Sequence, residues 1–232
     1  MKRILLVGSQ HGDELLGEQL YDYIMQFEPR LLPALTFVIA NPLAWSLGIR
    51  YAESDMNRSY DGSSETYESR MAQELAVHIA QSQYDLVLDL HTTNCVQPPC
   101  VLLAPHTTAG PFLSASSVEH VVTIKHDLVN SSLIGIEPHA VSIEVRRQDV
   151  QRPMLASLAK DIKRYLDGGH SRVVKTQYEV YDLLRKDEIS SADADVLENF
   201  AISRHGFYPI LVGNNSYRKN THYLGFKARK TK

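Results

Sequence analysis

Apolar residues along the chain come in short bursts set apart by longer stretches of mixed character. The runs Lys2–Val7, Leu35–Ala40, Leu86–Leu90, Val101–Ala104, Val121–Ile124 and Val141–Val145 are mostly Leu, Ile and Val. Runs of that length and composition predict strands buried on both faces. Between the first two, Leu16, Leu20, Tyr23, Ile24 and Phe27 recur at helical spacing, and Pro29 closes the stripe. A loop running to about Ser64 precedes a second helical stripe, Tyr67, Met71, Leu75 and Ile79. A third, Leu155, Leu158, Ile162 and Tyr165, begins near Pro153 and stops at Gly168-Gly169.

Strands alternating with helices predict an α/β fold with a mixed, mostly parallel sheet flanked by helices. Ligands in such sheets sit beyond the carboxyl ends of the strands. His11, Asn41, His91 and Glu144 all fall at or near those predicted ends. Past Gly168-Gly169 the character changes: Val173–Val180 and Phe207–Val212 read as short strands, with the polar run Arg185-Lys186-Asp187-Glu188 between them. The chain is therefore divided into a main domain over 1–170 and a small β-rich C-terminal appendage over 171–232. The basic end, Lys227 to Lys232, is expected to be a frayed, solvated tail.

Composition narrows the classes of function. Hydrophobic residues make up 44% and charged residues 22% of the 232, with a net charge of −3. Nothing there draws the chain to nucleic acid or to acidic membranes. The apolar run Ile4–Val7 is shorter than the ~7–15 residues of a signal-peptide core, and no window approaches the ~18 of a membrane span. The cytoplasm is the expected location. Self-association is left open by the sequence. Cys95 and Cys100, the two cysteines, flank Val96-Gln97-Pro98-Pro99 and suit a loop with reduced thiols rather than a disulfide framework.

The chemistry gathers in three segments, Gly8–Glu14 (G-S-Q-H-G-D-E), Asp55–Arg58 (D-M-N-R) and Asp89–Thr93 (D-L-H-T-T). His11 and Glu14, three apart, would share one face of a starting helical turn. Gly8 and Gly12 permit tight backbone there. His91 follows a run in which Asp89 is the one polar residue. Two imidazoles and one carboxylate would leave a tetrahedral Zn²⁺ with an open position, the mark of a catalytic site. Asp13 competes with Glu14 for the carboxylate role, and spacing does not decide between them.

Taken with Asn41-Pro42, Arg50 and Ile143-Glu144-Val145, these segments stand in the order and approximate spacing of the succinylglutamate desuccinylase/aspartoacylase family. That family belongs to the zinc-carboxypeptidase superfamily. The chain resembles it over about residues 3–168, and more loosely through Tyr208–Val212 and Tyr217. The resemblance implies one Zn²⁺ per chain held by His11, Glu14 and His91, with Glu144 as the catalytic carboxylate. It further implies Arg50 as stabiliser of negative charge on the carbonyl oxygen, and Asn57 and Arg58 as a clamp on the substrate's α-carboxylate. Tyr217 would line the substrate, and Asp55 and Asp89 would orient the site from behind. The implied reaction is hydrolysis of the amide bond of an N-acyl amino acid.

Two departures bear on the substrate. Arg146-Arg147 stand where the family often has Gly-Pro, and Ile134 stands where aspartoacylase carries an arginine for its substrate's side-chain carboxylate. Either arginine could restore that charge, or the substrate side chain is neutral. A carboxypeptidase acting on short peptides, and a non-catalytic ligand-binding relative, are the rival readings.

Overall fold

The computed structural model describes residues 2–213 and 221–231. Each of the six apolar runs forms a strand: β1 (Ile4–Gly8), β2 (Leu35–Ile39), β3 (Leu86–Thr93), β4 (Cys100–Leu103), β5 (His120–Ile124) and β6 (Ala140–Arg146). Three more follow, β7 (Thr176–Arg185), β8 (Tyr208–Ile210) and β9 (Tyr223–Lys230). All nine share one sheet in the order β2-β1-β3-β6-β4-β5-β7-β9-β8. β2, β1, β3 and β6 are mutually parallel. β4 reverses against β6, β5 and β7 run parallel to β4, and β9 and β8 pair antiparallel at the edge. This is the mixed, mostly parallel sheet expected.

The helices are α1 (Leu16–Phe27), α2 (Pro42–Leu47), α3 (Tyr67–Ser82), α4 (Gly110–Ala115), α5 (His126–Val129), α6 (Leu133–Ile136), α7 (Arg152–Leu166) and α8 (Ser191–Asp195). The period-2 alternation of the strands sorts two cores, one on each face of the sheet. Ile4, Leu6, Leu86, Leu88, Leu90, Ile143 and Val145 pack under α1 and α7 through Leu16, Leu20, Ile24, Leu158 and Ile162. Leu5, Val7, Val87, Cys100, Leu102 and Val122 face the other way, under Ala72, Leu75 and Ile79 of α3 and Leu133 and Ile134 of α6. Asp89 and His91 alternate onto this second face, as do Ser142 and Glu144 on β6. Among the described residues, no helix is long and apolar enough to cross a membrane.

Three local expectations are corrected. The end of the chain is no solvated tail: Leu224, Phe226 and Ala228 of β9 are buried, while Lys227 pairs with Asp182 and Glu188, and Arg229 with Glu179. Alternation of apolar and basic residues, hidden by the basic composition, makes it a strand. The stretch 41–64 is not all loop, since Pro42–Leu47 is helical with Asn41 as cap, its Oδ1 accepting from the Ala44 amide at 3.1 Å. Finally, β7 starts at Thr176 and runs on to Arg185, at the start of the polar run read as separating two strands.

Candidate metal centre

The strand pairing of β1 with β2 continues into the turn that follows, through Ala40 N to Gly8 O (2.9 Å) and Asn41 N to Ser9 O (3.1 Å). His11–Glu14 is a tight turn closed by Glu14 N to His11 O at 3.0 Å, and α1 begins only at Leu16. The His11–Glu14 spacing therefore works through a turn, not a helical face. Ser9, not a glycine, takes the left-handed conformation here (φ 48°), and its hydroxyl is anchored by Glu18. Gly12 is required for room instead: a Cβ on it would stand 2.1 Å from the Ala44 carbonyl carbon. The His11–Glu14 turn thus lies directly on the α2 backbone.

Glu14 faces both histidines. Its Oε1 lies 2.9 Å from His11 Nδ1 and its Oε2 3.1 Å from His91 Nδ1, while the Thr92 amide donates to Oε2 at 3.0 Å. Asp13, the competing carboxylate, turns away to Arg147 Nη2 at 2.9 Å. His91 lies within β3, two residues short of its end. The outer ring nitrogens also meet carboxylates: His11 Nε2 is 2.9 Å from Asp55 Oδ1 and His91 Nε2 is 2.9 Å from Asp89 Oδ1. The second contact is an ion-pair distance whose alignment falls short of a hydrogen bond. Carboxylates behind metal-binding imidazoles fix the ring orientation and raise its basicity. Among the described residues, His11, Glu14 and His91 form the one group whose donor atoms lie within 4.8 Å of one another. Two Nδ1 atoms and a carboxylate, all buried and braced from behind, fit a divalent metal ion.

The electrostatics follow from that packing. Burial opposes the charged form of both imidazoles. For His91, Asp89 and Glu14 outweigh it and hold the pKa well above the ordinary histidine value; for His11, Glu14 and Asp55 do so to a smaller extent. Burial likewise opposes the Glu14 carboxylate, and the two imidazoles hold it well below the usual range.

The segment from Arg50 to Arg58 walls this centre. Arg50 donates to Glu14 Oε1 (3.0 Å) and to Asp55 Oδ2 (3.2 Å). Asp55 also accepts from the Asn57 amide at 3.1 Å. Asn57 Oδ1 accepts from Leu133 N at the start of α6 (3.1 Å), and Arg58 Nη1 donates to Asn57 O (2.6 Å). What holds this wall is a residue that no pattern in the chain singles out. Glu68 of α3, fully buried, accepts from the amides of Ala52 (2.6 Å), Glu53 (3.1 Å) and Ser54 (3.0 Å) and from Asn41 Nδ2 (3.3 Å). An acidic residue in a first helical turn reads as a complement to the helix dipole, so its role was invisible. Glu68→Ala is expected to lower unfolding free energy by about 2 kcal/mol, because the buried Asn41 amide and three part-buried backbone N–H groups lose their shared acceptor. Denaturant titration checks this, and a loss below about 1 kcal/mol would mean that water replaces the carboxylate.

Asp89 is held by a second unforeseen set. Gln10 Nε2 donates to Asp89 Oδ1 (2.5 Å), Ser142 Oγ to Oδ2 (2.6 Å), and Tyr60 hydroxyl to Gln10 Oε1 (2.8 Å). On the neighbouring strand, Glu144 stands in direct register with His91 and, across the other ladder, with Cys100. Residues in register share a sheet face, so Glu144 lines the side that carries the His11–Glu14–His91 cluster. Burial pushes its pKa up to about 7. Burial and the nearby Glu144 raise the Cys100 thiol as well, so that buried cysteine stays protonated. The structure thus brings together His11, Glu14, His91, Asp55, Asp89, Arg50 and Glu144. Tyr217 lies outside the described residues.

The family model for the succinylglutamate desuccinylase/aspartoacylase catalytic domain matches residues 1–166. The chain belongs to that family. Over 126 residues it is 29% identical to a probable aspartoacylase of Nostoc sp., covering 49% of this chain and 42% of that protein. It is 33% identical over 126 residues to the N-acyl-aromatic-L-amino acid amidohydrolase (carboxylate-forming) of Rattus norvegicus, covering 47% and 39%. The matched stretch is thus about two fifths of each relative's length. The structure of murine aminoacylase 3 superposes with a TM-score of 0.74 at 20% identity, over 99% of this chain and 95% of that one, which establishes the shared fold.

Proposed function

We propose that this chain is a Zn²⁺-dependent amidohydrolase that cleaves the amide bond of N-acyl amino acids. The observation that carries this reading is Glu144, with a pKa of about 7, in register with His91 on the face that bears the His11–Glu14–His91 cluster. The Nδ1 atoms of His11 and His91 and a carboxylate oxygen of Glu14 would hold the ion. When bound, Zn²⁺ would polarise the scissile carbonyl and acidify water at the site.

The chain's own residues do the rest. Glu144 accepts a proton from water at its carboxylate and returns it to the amine nitrogen as the C–N bond breaks. A group that titrates near neutrality can take and give a proton with equal ease. Arg50, held beside the ligands by Glu14 and Asp55, contributes positive charge where the carbonyl oxygen becomes negative. Arg58 with Asn57 takes the α-carboxylate through planar, charge-assisted hydrogen bonds. Asp55 and Asp89 keep the imidazoles oriented. Residues 1–170 carry this chemistry, with 171–232 as a β-rich subdomain.

The test is a hydrolysis screen of acetyl, succinyl and longer-chain acyl amino acids alongside dipeptides, with Zn²⁺-loaded protein. Cleavage of acyl amino acids well above dipeptides is expected. Preference for dipeptides would make the chain a carboxypeptidase, and Zn²⁺ binding without turnover of either would make it a binding protein.

A further inference from the structure

We infer that a small cavity behind the His11–Glu14–His91 cluster, on the opposite face of the sheet, binds a compact primary ammonium compound. The inference stands apart from the amidohydrolase reading, since it concerns the other side of β3.

Thr92 follows His91 in β3, so its side chain alternates onto the face of Leu90, under α1 and α7. There it lines a cavity of about 280 Å³ between the start of α1 and the segment that leads into α7. Asp13 and Gln19 complete the polar wall, Leu15 and Val150 form an apolar one, and Arg147 stands beside Asp13. The residue Thr92 is only 6% exposed, and among the described residues its hydroxyl has no hydrogen-bond partner. Asp13 Oδ1 is likewise buried without a donor, because Arg147 Nη2 takes the other carboxylate oxygen at 2.9 Å. Two orphaned polar atoms thus meet in one cavity.

Buried polar atoms without partners are costly, and each calls for a group to satisfy it. The chemistry of that group follows from what the wall lacks. Asp13 Oδ1 needs a donor, Thr92 Oγ1 can accept one, and the Gln19 carbonyl at the rim can accept another. An –NH₃⁺ group carries three donors and a positive charge, which suits three oxygens of which one belongs to a carboxylate. Leu15 and Val150 then cover a short hydrocarbon body. A divalent cation is a poorer match, since His11, Glu14 and His91 are the one converging set of three His, Cys, Asp or Glu donors among the described residues. The volume lies just below the roughly 300–1,000 Å³ of ligand sites, which limits the occupant to a few heavy atoms. A free amine or a free amino acid offers the ammonium group, whereas an N-acyl amino acid does not.

Calorimetric titration of the full chain, with and without Zn²⁺, tests this with 3-methylbutylammonium, its neutral counterpart 3-methylbutanol, leucine and N-acetylleucine. Saturable binding of one ammonium compound per chain is expected, at equal affinity with and without the metal ion. The alcohol should bind at least about tenfold more weakly, the effect of losing a charge-assisted contact. Thr92→Val replaces the hydroxyl with a methyl group of the same shape and should weaken the ammonium compound roughly tenfold. Asp13→Asn should weaken it about ten- to a hundredfold.

Leucine is titrated into Arg58→Ala as well, because Arg58 belongs to the proposed clamp on an α-carboxylate. Leucine binding that survives in Arg58→Ala and falls in Thr92→Val makes an amino acid the occupant. Binding of 3-methylbutylammonium alone makes the occupant a free amine. The inference is overturned if neither ammonium compound binds saturably, if binding requires Zn²⁺, or if N-acetylleucine binds as well and is equally weakened by Thr92→Val. Affinity unchanged in both Thr92→Val and Asp13→Asn overturns it too. None of these measurements depends on turnover, so a chain that cleaves no amide still decides them.

Discussion

Glu144→Gln is expected to lower kcat by ~10²–10⁴-fold while leaving one Zn²⁺ per chain. Glutamine keeps the shape of the side chain and removes the proton acceptor. Wild-type activity should rise with pH as Glu144 loses its proton, and a neighbouring dication would move that rise below the value of about 7 set by burial. Stability should move the opposite way. A carboxyl group raised from 4.5 to about 7 binds more protons folded than unfolded. Metal-free wild type therefore loses stability relative to the glutamine variant as pH climbs through that window. Rates and melting temperatures of the two proteins between pH 4.5 and 8 check both signs. Undiminished hydrolysis by Glu144→Gln would assign the proton transfer to another group.

The second large effect concerns metal uptake. In the metal-free site, His11 and His91 both hold protons more tightly than ordinary histidines, because Glu14, Asp55 and Asp89 surround them. A metal ion takes neutral imidazole, so each Nδ1 proton must leave as the ion arrives. Zn²⁺ binding should release roughly one to two protons near neutrality, with affinity rising about ten- to a hundredfold per pH unit. Calorimetry in buffers of different ionisation enthalpy counts those protons directly. Uptake without proton release would mean that the imidazoles are already neutral before the ion binds. Asp55→Asn, which removes one of the carboxylates, should reduce the number released.

How far the chain announced all this depended on the kind of signal. Buried strands declared themselves, because a run such as Leu86-Val87-Leu88 has no other stable place than between two helical layers. β9 did not, because Lys227, Arg229 and Lys230 dominate its composition while the inward positions are Leu, Gly, Phe and Ala. The His11–Glu14–His91 cluster was legible through residue types with few alternatives at such spacing. Its turn geometry was not, since that depends on Ser9 and on the space Gly12 leaves for α2. The supports, Glu68, Gln10, Tyr60 and Ser142, are common residues whose partners lie between 14 and 79 positions away. Nothing local distinguishes them from surface residues; only the folded chain reveals the amides and carboxylates that they meet.

The continuity of the sheet past Gly169 bears on how the two stretches of chain depend on each other. β7 covers β5 from His120 to Ile124, and Leu211 N and Asn199 reach back to Gln97 and Val96, in the loop before Cys100. A fragment ending at Gly169 would carry every ligand-bearing segment yet leave the flank of β5 bare, a row of unsatisfied amides able to recruit another strand. The C-terminal stretch is thus a seal on that edge of the sheet: its removal trades a closed fold for a sticky one while leaving His11, Glu14 and His91 in the chain.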